Sequence, residues 1–401
     1  MKILQVSNRI PFPLNEGGTI GIYNYTKGFY ENGCKVSFVS LNASKHHIDI
    51  EQANAELSKY CKLYVLNINT DINIFKAFIN LFSGKSYNVQ RFYNHKFESM
   101  LKDILTRQEF DIIQVEGIYA SMYADTIRKY SKSPIILRQH NVEYQIWERM
   151  ANNERNFLKK YYLKLLARRL KKFELIQLNK YDAIIPVTDD DAKVFESEGC
   201  IKPIFVSPAG IDVTLFNKNE KKTENPYHIY HLGSLEWLPN RQAVIWFIEN
   251  VWDKILEIDK RFKLFIAGKN TPSFFKKYET ENLVIAGEVS NAIEFISDKS
   301  INIVPLLSGS GIRLKILEAM AAGKLVISTT IGAQGIKYNK DKNILIADSA
   351  EEFCNIFINI SKEADCYAEI KQNAQELIKN EYSNSAVVSK LIYFYKNTFN
   401  I

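Results

Sequence analysis

What this chain of 401 residues lacks narrows it first. It has five cysteines, Cys34, Cys61, Cys200, Cys354 and Cys366, which are odd in number, scattered and without C-x-x-C spacing. That argues against a disulfide framework and a zinc site, and for a reducing compartment. No stretch approaches the ~18–20 apolar residues of a membrane span. The chain opens directly on a strand-like run, Lys2-Ile-Leu-Gln-Val6, with no apolar leader and cleavage site. A cytoplasmic protein is expected. No G-x-G-x-x-G follows the first strand and no full P-loop pattern is present, so dinucleotide and Walker-type sites are poorly supported. The net charge of +7 is mild and suits anionic small molecules, anionic lipid or nucleic acid. No nucleic-acid-reading module accompanies it, so no nucleic-acid partner is expected.

What is present is alternation. The length exceeds one ordinary core and implies two domains. Strand Lys2–Val6, a loop carrying Gly17 and Gly18, a helix from Thr19 to Asn32 closed by Gly33, and strand Lys35–Leu41 make a βαβ unit. The two glycines then lie at the carboxyl end of a strand, where open α/β sheets bind ligands. Further strands are expected at Lys62–Leu66, Asp111–Val115, Pro134–Arg138, Ala183–Val187 and Pro203–Val206. The strand Pro134–Arg138 places His140, Asn141 and Glu143 just past its carboxyl end, on the glycine side. A histidine there can bond a sugar hydroxyl or orient a reacting group, or it can be merely structural.

Pro208-Ala-Gly-Ile-Asp212 leads into a polar run, Asn217 to Pro226, of linker composition. A second series follows, with strands at Tyr227–Leu232, Phe262–Ala267, Asn282–Ala286, Ile301–Pro305 and Leu325–Thr329. The fold class is therefore α/β, two Rossmann-like domains facing across a cleft, and that cleft is the expected site. The domains are read as 1–207, 208–380 and a terminal helical segment 381–401. Gly233 and Gly268 follow strands on the side of the expected cleft.

The stretch Ser308-Gly-Ser-Gly-Ile-Arg-Leu-Lys-Ile-Leu-Glu-Ala-Met-Ala-Ala-Gly323 reads as a glycine loop entering a helix, with Leu314, Leu317 and Ala321 toward the sheet. Gly323 sits where a left-handed C-cap belongs. Arg313 and Lys315 in a first helical turn oppose the helix dipole unless an anion binds there. Glu318, one turn on, can accept hydrogen bonds from a diol, or simply pair with Lys315.

Two stretches read as bland. Asn156–Glu174 is a basic amphipathic helix, which is either a solvated surface or a peripheral membrane contact. Asp189-Asp190-Asp191 resembles a metal-holding acidic triplet, but Thr188 is a good N-cap and acids suit a first turn, so no metal is expected.

The order of the Gly17-Gly18 loop, His140-Asn-Val-Glu143, Pro208-Ala-Gly-Ile-Asp212, His231-Leu-Gly-Ser-Leu-Glu-Trp-Leu-Pro-Asn240 and the Gly309–Gly323 stretch resembles the group 1 (family four) retaining glycosyltransferases of GT-B fold. The resemblance implies a cytoplasmic, metal-independent enzyme moving sugar from a nucleotide-sugar donor, with no other cofactor. The acceptor would be carbohydrate or lipid-linked, in polysaccharide, lipopolysaccharide or glycolipid assembly, a setting compatible with the inner membrane face. Glu318 matches the family's ribose-binding glutamate. Ser310, Gly311 and Ile312 match the positions that meet sugar and pyrophosphate, and Gly287 and Val289 the loop that reads the base. Gly17 and Gly18 match the loop that closes on the donor phosphates, and His140, with Glu143 beside it, the histidine near the transferred sugar.

Two departures stand out. Ser310 replaces the first glutamate of E-x7-E, and Ser234 and Pro239 replace the usual arginine and lysine on the pyrophosphate. Arg241, Arg313 and Lys315 are the natural substitutes. A catalytically inactive nucleotide-sugar-binding or partner subunit is the alternative that these departures raise.

Overall fold

The computed structural model describes all residues except 15, 16, 45, 46, 72, 74, 76–78, 81, 155, 218–222 and 310. Short apolar runs bounded by Gly, Pro, Asp and Asn build two parallel sheets, each of six strands. Their fully buried strands carry apolar residues on both faces, as parallel sheets covered by helices require. The chain divides into two compact units, residues 1–210 with 387–401, and residues 211–386.

In the first unit, β1 (Lys2–Ser7), β2 (Lys35–Ala43), β3 (Cys61–Ile68), β4 (Ile112–Glu116), β5 (Ile135–Gln139) and β6 (Ala183–Pro186) lie in the order β3-β2-β1-β4-β5-β6. Its helices include α1 (Gly17–Glu31), α2 (Ile50–Leu57), α3 (His95–Arg107), α4 (Ala124–Tyr130), α5 (Glu143–Asn153), α6 (Phe157–Leu178) and α7 (Asp189–Ser197). The run Pro203–Val206, expected as a strand, makes a single bridge, Ile184 with Ile204. Ile184 N donates to the Pro203 carbonyl, Phe205 N to that of Ile184 and Ser207 N to that of Pro186, but Pro186 at the end of β6 has no N–H to return to the run, and the ladder stops there. Thr188 does cap α7, accepting from Asp191 N at 3.0 Å, with the three aspartates in the first turn.

In the second unit, β7 (Asn225–Leu232), β8 (Lys263–Ala267), β9 (Leu283–Gly287), β10 (Lys299–Val304), β11 (Leu325–Ser328) and the short β12 (Leu345–Ile346) lie in the order β12-β11-β10-β7-β8-β9. Its helices include α8 (Leu238–Phe247), α9 (Asp253–Ile258), α10 (Ala292–Ile296), α11 (Leu314–Ala321), α12 (Ala350–Lys362) and α13 (Ala368–Leu377). On α11 the buried stripe is Ile316, Leu317 and Met320, while Leu314 and Ala321 are half-buried. The sheet-facing side is thus rotated from the one the spacing suggested. Gly323 closes the helix at φ 71°, a left-handed cap.

The last helix, α14 (Asn384–Phe399), follows a break at Ser383. Its residues from Val387 onward belong to the first unit, where Val387, Val388, Leu391 and Tyr395 are buried with Ile3, Phe29 and Ile112. Tyr395 OH donates to Gln114 Oε1 at 2.6 Å.

Candidate active site

In the first unit the chemistry gathers where β4 and β5 end. Register sets Glu116 opposite Arg138, both buried. Glu116 Oε2 lies 3.1 Å from Arg138 Nη1 and 3.0 Å from His140 Nε2. Its Oε1 accepts from Gln5 Nε2 at 3.0 Å and Gln114 Nε2 at 2.5 Å. Burial alone would raise this carboxyl, but the Arg138 charge and the hydrogen bonds outweigh it and hold it at about 2. The same His140 Nε2 also lies 3.2 Å from Arg138 Nη1, which can only donate, while the Glu116 carboxylate can only accept, so these two contacts make opposite demands on the ring nitrogen. Burial, joined by the Arg138 charge, outweighs the Glu116 hydrogen bond and lowers the His140 pKa, so the ring is neutral near pH 7.

His140 and Glu143 line one cavity of about 350 Å³ with Arg9, Gly18, Arg91 and Asn141. A Cβ at Gly18 would meet only the end of the Arg9 side chain, which can swing aside, and Gly17 opens α1 beside it with free space around it. Glu143 begins α5, accepts from Tyr119 OH at 3.1 Å, and is raised by burial. Val142 cannot cap α5. Glu174 of α6 does so instead, accepting from the backbone N of Glu143 (3.2 Å) and Tyr144 (3.0 Å) and from Gln139 Nε2 (3.0 Å). Burial lifts it to about 8 despite those bonds. A second recess of about 670 Å³, lined by Asn69, Asp71, Asn80, Gln90, Tyr93 and Asn94, shares Arg91 with the first.

In the second unit the site forms where β7 and β10 end and α11 begins. Lys315 Nζ donates to Asn240 Oδ1 at 2.9 Å and to His231 Nε2 at 3.2 Å. His231 Nδ1 lies 3.0 Å from the Ile303 carbonyl, which can only accept, so Nδ1 is protonated and Nε2 takes the lysine's hydrogen. Burial and the neighbouring lysine hold His231 well below its ordinary pKa. Burial, then repulsion from Arg313, pulls Lys315 down to about 7, with Glu318 partly opposing. A Cβ on Gly233 would sit 2.6 Å from Lys315 Nζ, and one on Gly268 would strike the Gly233 carbonyl. Only glycines allow this close approach.

Arg313 is not in the first turn as expected. It is the N-cap of α11, in extended conformation, because Gly311 at φ 86° turns the chain immediately before it. Its Nη1 donates to the Gly311 carbonyl at 2.6 Å, and its guanidinium stands 5.3 Å from the Trp237 ring centre. Glu318 is raised by burial and lines a small cavity of about 90 Å³ with Lys315, Tyr230, Asn302 and Ile293. The hydrogen bonds of Lys315 go to Asn240 and His231, so the simple Lys315–Glu318 pairing is not what fixes the lysine.

Gly287 ends β9 at φ 67°, its carbonyl accepting from Gly268 N at 2.7 Å, with Val289 half-buried two residues on. Ile312 is half-buried beside Gly335. Arg241 N bonds the Trp237 carbonyl at 3.2 Å within α8, and its neighbour Asn240 is the residue that reaches Lys315. Ser310 lies outside the described residues. Glu116, Arg138, Glu174, His231 and Asn240 were not anticipated as working residues. The available signal was polarity at alternate positions of apolar strands, as in Gln114, Glu116 and Arg138.

Comparison with known proteins adds to this geometry. A family model described as Glycosyl transferases group 1 matches residues 226–363, and one described as Glycosyltransferase Family 4 matches residues 16–215. A Klebsiella pneumoniae protein described as an uncharacterized 44.6 kDa protein in a cps region is 26% identical over 405 residues, covering 97% of this chain and 98% of its own. Among solved structures, Anabaena HepE in complex with UDP is similar at a TM-score of 0.63 and 12% identity, over 99% of this chain and 100% of that one. Sucrose-phosphate synthase from Thermosynechococcus elongatus is similar at a TM-score of 0.65 and 14% identity, over 100% and 99%. The two six-stranded parallel sheets match this GT-B fold.

Proposed function

The chain belongs to the group 1 glycosyltransferases, and from that premise we propose that it moves a sugar from a nucleoside-diphosphate sugar to an acceptor hydroxyl with retention of configuration, without a metal. The observation that carries this reading is the Lys315–Asn240–His231 group at the amino end of α11, with Glu318 one turn further in. Backbone N–H groups at a helix start and a lysine held beside them suit a diphosphate, and the glycine loop lets it come close. Glu318 is the ribose partner, and Gly287 and Val289 contact the base. Lys315 and Arg313, with Arg241 nearby in sequence, replace the cations missing at Ser234 and Pro239.

The bond between sugar carbon one and the phosphate oxygen breaks, and its electron pair leaves with the nucleoside diphosphate. The acceptor oxygen attacks the same face and passes its proton to the departing phosphate. Stabilising that leaving group is the main electrostatic task. His140, with its neutral ring, holds a sugar or acceptor hydroxyl and is not the base. Gly17 and Gly18 admit the donor phosphates. The Asn- and Tyr-lined recess next to Arg91 suits a carbohydrate or the sugar of a lipid-linked acceptor. Five free cysteines support a reducing, cytoplasmic setting, and the relative in a cps region supports polysaccharide assembly.

A panel of nucleotide-sugars in thermal unfolding is the direct test. A ligand at a hundred times its Kd adds about 2.7 kcal/mol of stability, and Lys315→Met should abolish that shift. Donor hydrolysis then separates an enzyme from an inactive binder, which would shift but release no nucleoside diphosphate.

A further inference from the structure

The outer face of α6 has a composition that glycosyl transfer does not use. Seven of its residues are Lys or Arg, and its one acid, Glu174, is turned inward as the cap of α5. Leu163, Leu166, Ala167 and Leu170 are buried, the last of them within the hydrophobic core of the first unit. The positions open to solvent recur every three or four residues, at Phe157, Tyr161, Lys164, Arg168 and Lys172, with Leu158 beside the first. Lys159 and Lys171 are engaged by Glu154 and Glu198. Lys164, Arg168 and Lys172 have no hydrogen-bond or ion-pair partner among the described residues. They form a cationic stripe about 12 Å long at the helical rise.

The start of the helix differs. Phe157, Leu158 and Tyr161 are 79%, 78% and 70% exposed, three large apolar side chains within the first two turns. Scattered exposed apolar residues are ordinary, but a cluster bordered by unpaired cations marks an interaction surface. A polynucleotide would match the cations and leave the apolar end without a partner. An anionic bilayer matches both, since it offers phosphates at its surface and a hydrocarbon boundary just beneath.

We propose that this face docks on an anionic lipid bilayer, with Phe157, Leu158 and Tyr161 entering the headgroup boundary and Lys164, Arg168 and Lys172 lying over lipid phosphates. No helix among the described residues is long and apolar enough to cross a membrane, so the contact is peripheral. It does not depend on the glycosyltransferase reading, because none of these six side chains belongs to the His140 or Lys315 groups.

The test is sedimentation of the full chain with phosphatidylcholine vesicles, with and without phosphatidylglycerol, at low and high salt. The wild type should bind only the anionic vesicles, and more weakly as salt rises. A K164Q/R168Q/K172Q variant should bind about a hundredfold more weakly at low salt, at roughly fivefold per cation. An F157S/L158S/Y161S variant should lose the binding that survives high salt. Both should keep the wild-type melting temperature and its donor-induced shift, since the changes lie on an exposed face. Equal binding to neutral vesicles, no binding to anionic ones, or anionic binding untouched by the three glutamines would each overturn the proposal. So would tight binding of duplex DNA with vesicles left unbound.

Discussion

Lys315 ends its side chain on two acceptors, Asn240 Oδ1 and the lone pair of His231, and is pulled to about 7 by burial and the nearby Arg313 charge. On the proposed function, a diphosphate bound beside Lys315 would restore the charge. Nucleotide-sugar affinity should therefore be flat below pH 7 and fall as pH rises above it, with proton uptake on binding. Calorimetry in two buffers of different ionisation enthalpy reads this directly, and a buffer-independent enthalpy above pH 7 would refute it. The same group acts oppositely on the free protein. Unfolded Lys315 binds its proton up to 10.5, so the contribution of this residue to unliganded stability rises with pH between about 7 and 10.5. Glu116 has the usual carboxylate sign. Its folded value of about 2 against an ordinary 4.5 contributes about 3 kcal/mol above 4.5, lost as pH falls toward 2. Glu116→Gln should cost ~3–5 kcal/mol at neutral pH by stranding the Arg138 charge, and should flatten the acid limb of a denaturant-unfolding series. An unchanged limb would mean the carboxylate is not held as described.

Among the elements, α11 shows what the linear pattern reveals and what it hides. The glycine loop, the cap at Gly323 and the burial of Leu317 could be read directly. The displacement of Arg313 to the N-cap could not, because it follows from the positive φ at Gly311. Gly311→Ala is expected to cost about 1–3 kcal/mol of stability through that φ and to weaken donor binding at least tenfold by moving the carbonyl that holds Arg313; isothermal titration of the variant measures the second effect. Most strands were legible because apolar runs ended at Gly, Asp or Pro. Glu116 and Arg138 were not recognised as partners because their meeting depends on β4 lying beside β5, and sheet order is not written in either strand alone. Glu174 was hidden for a similar reason: a lone acid in a basic helix looks solvated until α5 is packed against it.

For the molecule as a whole, α14 is the element that matters most to the first unit. A chain ending at residue 386 would lose Val387, Val388, Leu391 and Tyr395 from the core and leave Gln114 without its tyrosine. Four such side chains at ~1.5–3 kcal/mol each approach the ~5–15 kcal/mol that stabilises a typical domain. The truncated protein should be largely insoluble or melt far below the full chain, with the loss of tertiary signal seen by near-ultraviolet circular dichroism. A soluble variant with an unchanged melt would show that the helix only decorates the surface.

That arrangement also imposes an order of events on biosynthesis. Residues 211–386 form an uninterrupted unit and can complete their sheet while the ribosome is still at work. The half that emerges earliest must wait, with apolar surface around Ile3, Phe29 and Ile112 uncovered, until Val387–Ile401 are released. Prematurely terminated synthesis would therefore yield a finished second unit attached to an unfinished first one, which is a natural target for chaperones and proteases.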